Sequence, residues 1–314
     1  MLCDPRTGFA RSAKRLAPFL ALLFFVLLVC AQEQTTQTQQ LVKVNVIVTD
    51  RGRSVENVRK EDLQVIEDGV PQTVSYFAKD ERPITCGFVI DASGSVRRIL
   101  MGLIDATKTV VKSLDSRDEG FVARFVGRDN FQIKQEITSD RESIEDSLDD
   151  IYVEGGQTAL LDAVDNTLKY LDEKRPAEVN SRRRVLILVT DGEDRASRLN
   201  DSKAMLARLR QSDVQVFVIG LTKFSGLQSS GGKATDLLNG MAEQTGGRAL
   251  FPEFDSGLPD VASQIARDLH MQYIIGYPAA NKSVGGAEHK VQVKWIGQEP
   301  PKRKVIVRPS IWNK

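Results

Sequence analysis

Gly87-Phe88-Val89-Ile90-Asp91-Ala92-Ser93-Gly94-Ser95-Val96 decides how this 314-residue chain folds. Its first four residues close an unbroken apolar run that starts at Thr85, the texture of a strand buried on both faces of a parallel sheet. A tight turn follows, carrying one carboxylate and two hydroxyls, Asp91, Ser93 and Ser95, spaced two residues apart. Beyond it Ile99, Leu100, Leu103, Thr107, Val110, Val111 and Leu114 recur at helical spacing. A buried strand handing over to a helix is the first unit of an α/β sheet. Three hard oxygen donors on one turn suit a divalent cation but do not complete its coordination. Other loops must supply the rest.

Outward from this stretch the alternation continues. Strands are expected at 120–126 and 131–137, joined by Gly127-Arg128-Asp129-Asn130, and a helix over 140–151. The loop Glu154-Gly155-Gly156-Gln157-Thr158 leads into a helix over 159–171. Short apolar strands at 185–189 and 214–219 enclose a helix over 200–212, and 236–243 and 258–272 read as helical. Strand and helix in regular alternation predict an α/β, Rossmann-like, doubly wound, mostly parallel sheet over residues 82–272.

Both flanks read as β. Val42, Val44, Val46 and Val48 alternate at period two. Residues 63–67 and 72–77 form a hairpin pattern around Asp68-Gly69, with Pro71 suited to an edge. This unit, 41–81, is too small to be stable alone. Strands are expected again at 273–277, 290–296 and 304–308. Neither flank closes a core by itself, so 41–81 and 273–314 are predicted to pair into a small β-sandwich that holds the α/β domain as an insertion.

The N-terminus has a different character. Arg6, Arg11, Lys14 and Arg15 precede an apolar stretch from Leu16 to Val29, and Val29 and Ala31 are small residues placed for cleavage after Ala31. Residues 1–31 have the form of a signal peptide, which makes the mature chain exported, periplasmic or extracellular. An uncleaved N-terminal anchor and lipidation at Cys30 are the other readings of this stretch. Residues 32–40, rich in Gln, Thr and Glu, read as a flexible linker. Cleavage removes four basic residues and Asp4, so the 43 basic and 42 acidic residues of the whole chain become 39 and 41, a net charge of −2. That balance offers no concentrated basic face for a nucleic-acid partner. Cys86 would be the one cysteine left, ruling out an intramolecular disulfide, and its place in the first buried strand makes it a packing residue.

In an open α/β sheet, ligands bind beyond the carboxyl ends of the strands. Three loops with suitable donors fall there: Asp91, Ser93 and Ser95 in the first, Thr158 in the second, and Asp191 of Thr190-Asp191-Gly192 in the third. Oxygen donors without His or Cys suit Mg²⁺, with Mn²⁺ or Ca²⁺ as alternatives, and not zinc. Taken singly, Ser93, Ser95 and Thr158 read as helix caps and the two aspartates as turn residues. Their joint occurrence in order, in three loops that the sheet gathers, points to a site.

These three motifs resemble the metal-ion-dependent adhesion site of von Willebrand factor type A domains, and the resemblance covers about 82–272. It implies hydroxyl ligation by Ser93, Ser95 and Thr158, with Asp91 and Asp191 binding directly or through water. It also implies an open coordination position that a partner protein's carboxylate can take. The flanks resemble those of a related subfamily of secreted bacterial proteins, through Val65-Ile66-Glu67-Asp68-Gly69 and Gln72. The C-terminal Arg308-Pro309-Ser310-Ile311-Trp312 departs from the Arg-x-Gly-Tyr ending of that pattern.

Other constellations read as structural. Ser229-Ser230-Gly231-Gly232-Lys233-Ala234 lacks the spacing of a phosphate loop and reads as a flexible surface loop. Glu193-Asp194 reads as a solvated acidic turn, and Arg182 to Arg184 as a solvated basic loop. His270 and His289 lie near no candidate nucleophile, and Ser93 lacks the G-x-S-x-G elbow. The reading that follows is a metal-dependent, adhesion-type protein-binding module and not an enzyme. A scaffold with a loop-bracing ion and a metal-dependent hydrolase are the alternatives.

Overall fold

The computed structural model describes residues 41–177, 181–222, 231–278, 288–298 and 303–312. The strands are β1 (Leu41–Asp50), β2 (Arg53–Ser54), β3 (Leu63–Glu67), β4 (Val70–Gln72), β5 (Tyr76–Lys79), β6 (Ile84–Asp91), β7 (Glu119–Phe125), β8 (Phe131–Thr138), β9 (Arg183–Thr190), β10 (Gln215–Gly220), β11 (Ala249–Leu250), β12 (Gln272–Pro278), β13 (Glu288–Trp295), β14 (Lys304–Val307) and β15 (Ser310–Trp312). The helices are α1 (Leu100–Ser113), α2 (Arg141–Asp149), α3 (Leu160–Lys174), α4 (Ser202–Gln211), α5 (Gly231–Thr245) and α6 (Leu258–His270).

The central sheet runs β11-β10-β9-β6-β7-β8, with β8 alone antiparallel to its neighbour. In chain order this is the 3-2-1-4-5-6 arrangement of doubly wound folds, and the order reverses between β6 and β9. Both of these strands are buried along their whole length. On β6, Ile84, Cys86, Phe88 and Ile90 face a core made with α1, α2 and α6, while Val89 joins the core under α3, α4 and α5. Two covered faces explain why the run shows no polar alternation. Cys86 is fully buried, and burial pushes its thiol up, as befits a packing residue.

The flanking strands pair across the chain. One sheet is ordered β14-β1-β12-β5, with β2 on β1, and another is ordered β15-β13-β3-β4. Residues from both ends, among them Val44, Val46, Val48, Val65, Ile275, Val291 and Val293, share one apolar core. The expected hairpin partner over 72–77 is divided. β4 remains the edge strand on β3 with Pro71 in it, whereas β5 crosses to the other sheet and pairs with β12, led by a Ser75 N–H···O Gly276 bond of 2.9 Å. Ser310–Trp312 pairs with β13, so the divergent C-terminus still adds a strand. Just before it, the Arg308 guanidinium donates to the carbonyls of Leu209, Arg210, Ser212 and Val214, capping the end of α4.

Two more sequence expectations, outside the donor loops, need correction. Arg183 and Arg184 do not lie in a solvated loop; β9 starts two residues before the apolar run, and both side chains are buried on carboxylates. Arg184 pairs with Asp172 at 2.8 Å and with Asp213, and Arg183 with Asp80 at 3.4 Å. Gly231 to Ala234 open helix α5 instead of continuing a loop, while Ser229 and Ser230 fall outside the described residues.

Helix α5 ends in a Schellman motif: Gly246, at φ 72°, donates to Glu243 O and Gly247 to Ala242 O. A Cβ on Gly247 would lie 1.9 Å from the Val216 carbonyl oxygen, a backbone atom of β10. Gly247→Ala is therefore expected to cost about 3 kcal/mol, the upper end for overpacking, because no side chain can rotate away. Gly232→Ala, with no atom within 4 Å of the new Cβ, should be neutral or slightly stabilising. Urea unfolding midpoints of the two variants check both expectations.

Candidate metal centre

The three donor loops meet at the carboxyl ends of β6 and β9, where the strand order reverses. Asp91 is the last residue of β6 and wholly buried; Asp191 follows β9 and is 2% exposed. Ser93 and Thr158 are 1% and 4% exposed, and Ser95 lies on the open side. Backbone bonds fasten the loops to one another. Glu154 N–H donates to Ala92 O, Arg195 and Ala196 N–H donate to Thr158 O, and Leu221 N–H donates to Thr190 O. Gly155 and Gly156, at φ 86° and 106°, provide the turn that presents Thr158.

Asp91 Oδ1 accepts from Ser93 N–H at 2.9 Å, and Asp91 Oδ2 accepts from the Thr190 hydroxyl at 2.7 Å. The Ser93 and Ser95 hydroxyl oxygens are 2.9 Å apart. Asp191 Oδ1 accepts from Glu193 N–H at 3.0 Å, whereas its Oδ2 is buried with no hydrogen-bond partner among the described residues. Burial, then the charge of Asp191, push Asp91 up to about 6 against its bonds from Ser93 and Thr190. Among the described residues neither carboxylate is in an ion pair. A buried carboxylate oxygen left unpaired beside a second buried carboxylate is costly. An oxygen-seeking dication resolves both, so these residues fit the Mg²⁺, Mn²⁺ or Ca²⁺ read from the sequence.

The capping explanation does not hold for these hydroxyls. Ser93 stands at the N-cap of a short 3-10 helix, Gly94–Arg98, but its hydroxyl makes no capping bond. Thr158 is not the N-cap residue of α3, whose first N–H, from Leu160, is accepted by Asp194 Oδ1 at 2.9 Å. This corrects the reading of Glu193-Asp194 as a solvated turn. Asp194 is half-buried and also accepts from Ser197, and Glu193 pairs with Arg195 at 2.9 Å. Thr190, which holds Asp91, went unrecognised as a site residue. Its signal was a hydroxyl at the last position of a buried apolar strand, one residue before the loop carboxylate.

Fold and loop arrangement define a doubly wound α/β domain whose polar groups converge at the switch point of its sheet. Residues 87–264 match the von Willebrand factor type A domain, and the chain belongs to that family. Domains of this family generally mediate protein–protein interactions. No curated protein sequence is similar to the chain. Among solved structures, a von Willebrand factor type A protein from Catenulispora acidiphila is 14% identical over 80% of this chain and 72% of its own, with a TM-score of 0.49. Proximal thread matrix protein 1 from the mussel byssus is 17% identical over 65% of this chain, which spans about half (49%) of its length, with a TM-score of 0.47. A structure of that mussel protein with a zinc-occupied metal-ion-dependent adhesion site is 18% identical over 66% of this chain and 50% of its own, TM-score 0.47.

Proposed function

We propose that this chain is an exported protein-binding module. Asp91, Ser93, Ser95, Thr158 and Asp191 hold a divalent cation, Mg²⁺ or in its place Mn²⁺ or Ca²⁺, and the cation captures an acidic side chain of a partner protein. The observation that carries this reading is the unpaired Asp191 Oδ2 beside the buried Asp91 carboxylate. When bound, the cation supplies a Lewis-acid position that a partner carboxylate completes. The protein's part is to hold five oxygen donors on three braced loops and leave the side at Ser95 open. Arg97 and Arg98, exposed and in no ion pair among the described residues, add positive charge next to that opening and favour an acidic partner. Export rests on the N-terminal sequence; among the described residues no helix is long and apolar enough to cross a membrane.

Affinity capture with the immobilised mature protein, in Mg²⁺ and in chelator, tests the reading. Partners retained in Mg²⁺ and released by chelator support it; capture indifferent to chelator overturns it. If metal removal lowers the melting temperature and leaves every interaction intact, the ion is a brace and the scaffold reading holds instead. Proton competition gives a further expectation. Below about pH 6 Asp91 of the metal-free protein holds a proton that a cation has to displace. The Mg²⁺ dissociation constant should be level above pH 7 and rise by roughly tenfold per unit at lower pH, measured by titration calorimetry.

A further inference from the structure

A second group of metal-ligating side chains lies away from the central sheet, in the sandwich built from the two flanks. On β3 the inward positions are Leu63, Val65 and Glu67, and on β13 His289, Val291 and Val293. Glu67 and His289 are thus placed in an apolar layer, 1% and 4% exposed. Asp68, the next residue, sits in the turn at φ 49° and is locked by two bonds of 2.9 Å, its N–H to Lys290 O and its Oδ1 from Lys290 N–H. Its other oxygen, Oδ2, is 2.7 Å from His289 Nδ1, which is 3.6 Å from Glu67 Oε1. One ligand atom from each of the three residues lies within 4.8 Å of the other two.

Tyr277 of β12 provides an independent observation. The residue is wholly buried, and its hydroxyl has no hydrogen-bond partner among the described residues. It packs in the same apolar core as Val65 of β3 and Val291 of β13, each two residues along the strand from Glu67 and His289, and burial and the charges of Glu67 and Asp68 push its hydroxyl up. Asp68 keeps about a third of its side chain exposed, so one of the three ligands reaches solvent.

We propose that Glu67, Asp68 and His289 form a second metal site, for a transition-metal dication such as Zn²⁺, with Tyr277 Oη or a water as fourth donor. One imidazole with two carboxylates is a borderline donor set that zinc accepts readily, unlike the all-oxygen set around Asp91. Tetrahedral ligands on a zinc ion stand roughly 3.3 Å apart, between the two separations seen at His289. The other mixed cluster, Asp115, Asp118 and His270, is a weaker candidate because both Asp118 oxygens already accept backbone N–H bonds, from Ile84 and Asp115. At Glu67, Asp68 and His289 the ion would clamp strands 221 residues apart in the chain and tie the two flanks together.

The test uses the full chain carrying Asp91→Ala and Asp191→Ala, which silences the first site, stripped with chelator and titrated with Zn²⁺. One equivalent is expected to bind, raising the melting temperature by about 5 °C or more once Zn²⁺ reaches a hundred times its dissociation constant. Adding Asp68→Asn or His289→Gln should weaken binding at least tenfold. Asp68 is exposed and its replacement keeps the fold, so it decides the matter if the His289 variant is unstable. Absence of Zn²⁺ binding in the parent, or equal affinity in parent and Asp68→Asn, overturns the proposal.

Discussion

Asp91→Ala should abolish Mg²⁺-dependent capture of a partner and lower Mg²⁺ affinity by on the order of 100-fold or more, while the fold survives. Two opposing effects set the stability of the metal-free variant. The wild-type carboxylate lies in a site that burial and Asp191 make unfavourable, and a rise to about 6 corresponds to roughly 3 kcal/mol against the ionised form at neutral pH. Removing it relieves that cost but strands Ser93 N–H and the Thr190 hydroxyl, each worth about 1 kcal/mol or more. The two nearly cancel, so thermal unfolding in chelator should shift by only a few degrees. In Mg²⁺ the wild type should gain stability and the variant should not. Asp91→Asn separates charge from shape, since it keeps an acceptor for Ser93 and is expected to lose the metal all the same. Capture that persists undiminished in Asp91→Ala would remove the metal from the function.

The difference between what the sequence disclosed and what it concealed has a physical cause. β6, β9 and β10 were legible because a strand covered on both faces must be apolar throughout, a pattern little else produces over so short a run. Two of the donor loops were legible because each directly follows such a strand, and the third because Gly155-Gly156 breaks the chain just before a helix. Asp194 was not, because its acceptor role on Leu160 N–H joins residues 34 apart in the chain and leaves no local spacing. Arg183 and Arg184 misled for a related reason. Three consecutive arginines are soluble by default, and only the tertiary positions of Asp80, Asp172 and Asp213 make their burial tolerable. The division of 72–77 between two sheets also lay beyond local pattern, since the same alternation suits either sheet until the far partner, β12, is in place.

Asp80→Ala is expected to be the most destabilising of these changes, at about 3–5 kcal/mol, because it leaves a buried charge without its partner. The Asp80 side chain is fully buried where β1, β12, β6 and β9 come together. It receives Arg82 Nε at 2.9 Å and Nη2 at 2.8 Å, lies 3.4 Å from Arg183 Nε, and accepts from Asn45 of β1, while its own N–H donates to Gln272 O at the start of β12. Arg82 is 43% exposed and can turn to water when Asp80 is lost, but Arg183 is 6% exposed and, among the described residues, keeps one side-chain hydrogen bond, to Leu269 O, with the charge of Asp118 nearby. Arg82→Ala should therefore cost about 1 kcal/mol or less, although its bonds to Asp80 are shorter. The pH dependence carries the same signature. Burial pushes the Asp80 carboxyl up, yet the Arg82 bonds and the charges of Arg183 and Arg82 outweigh it and hold the group below its usual 3.8. A carboxyl depressed in the folded state contributes stability that is present above 3.8 and is lost as pH falls through its lower folded value. Urea midpoints measured from pH 6 downward should thus fall steeply below about 4 in the wild type, and the Asp80→Ala variant should lack that part of the slope. A midpoint shift under about 1 kcal/mol in Asp80→Ala would mean that Arg183 finds water or another carboxylate, and that the junction of flanks and central sheet rests on apolar packing alone.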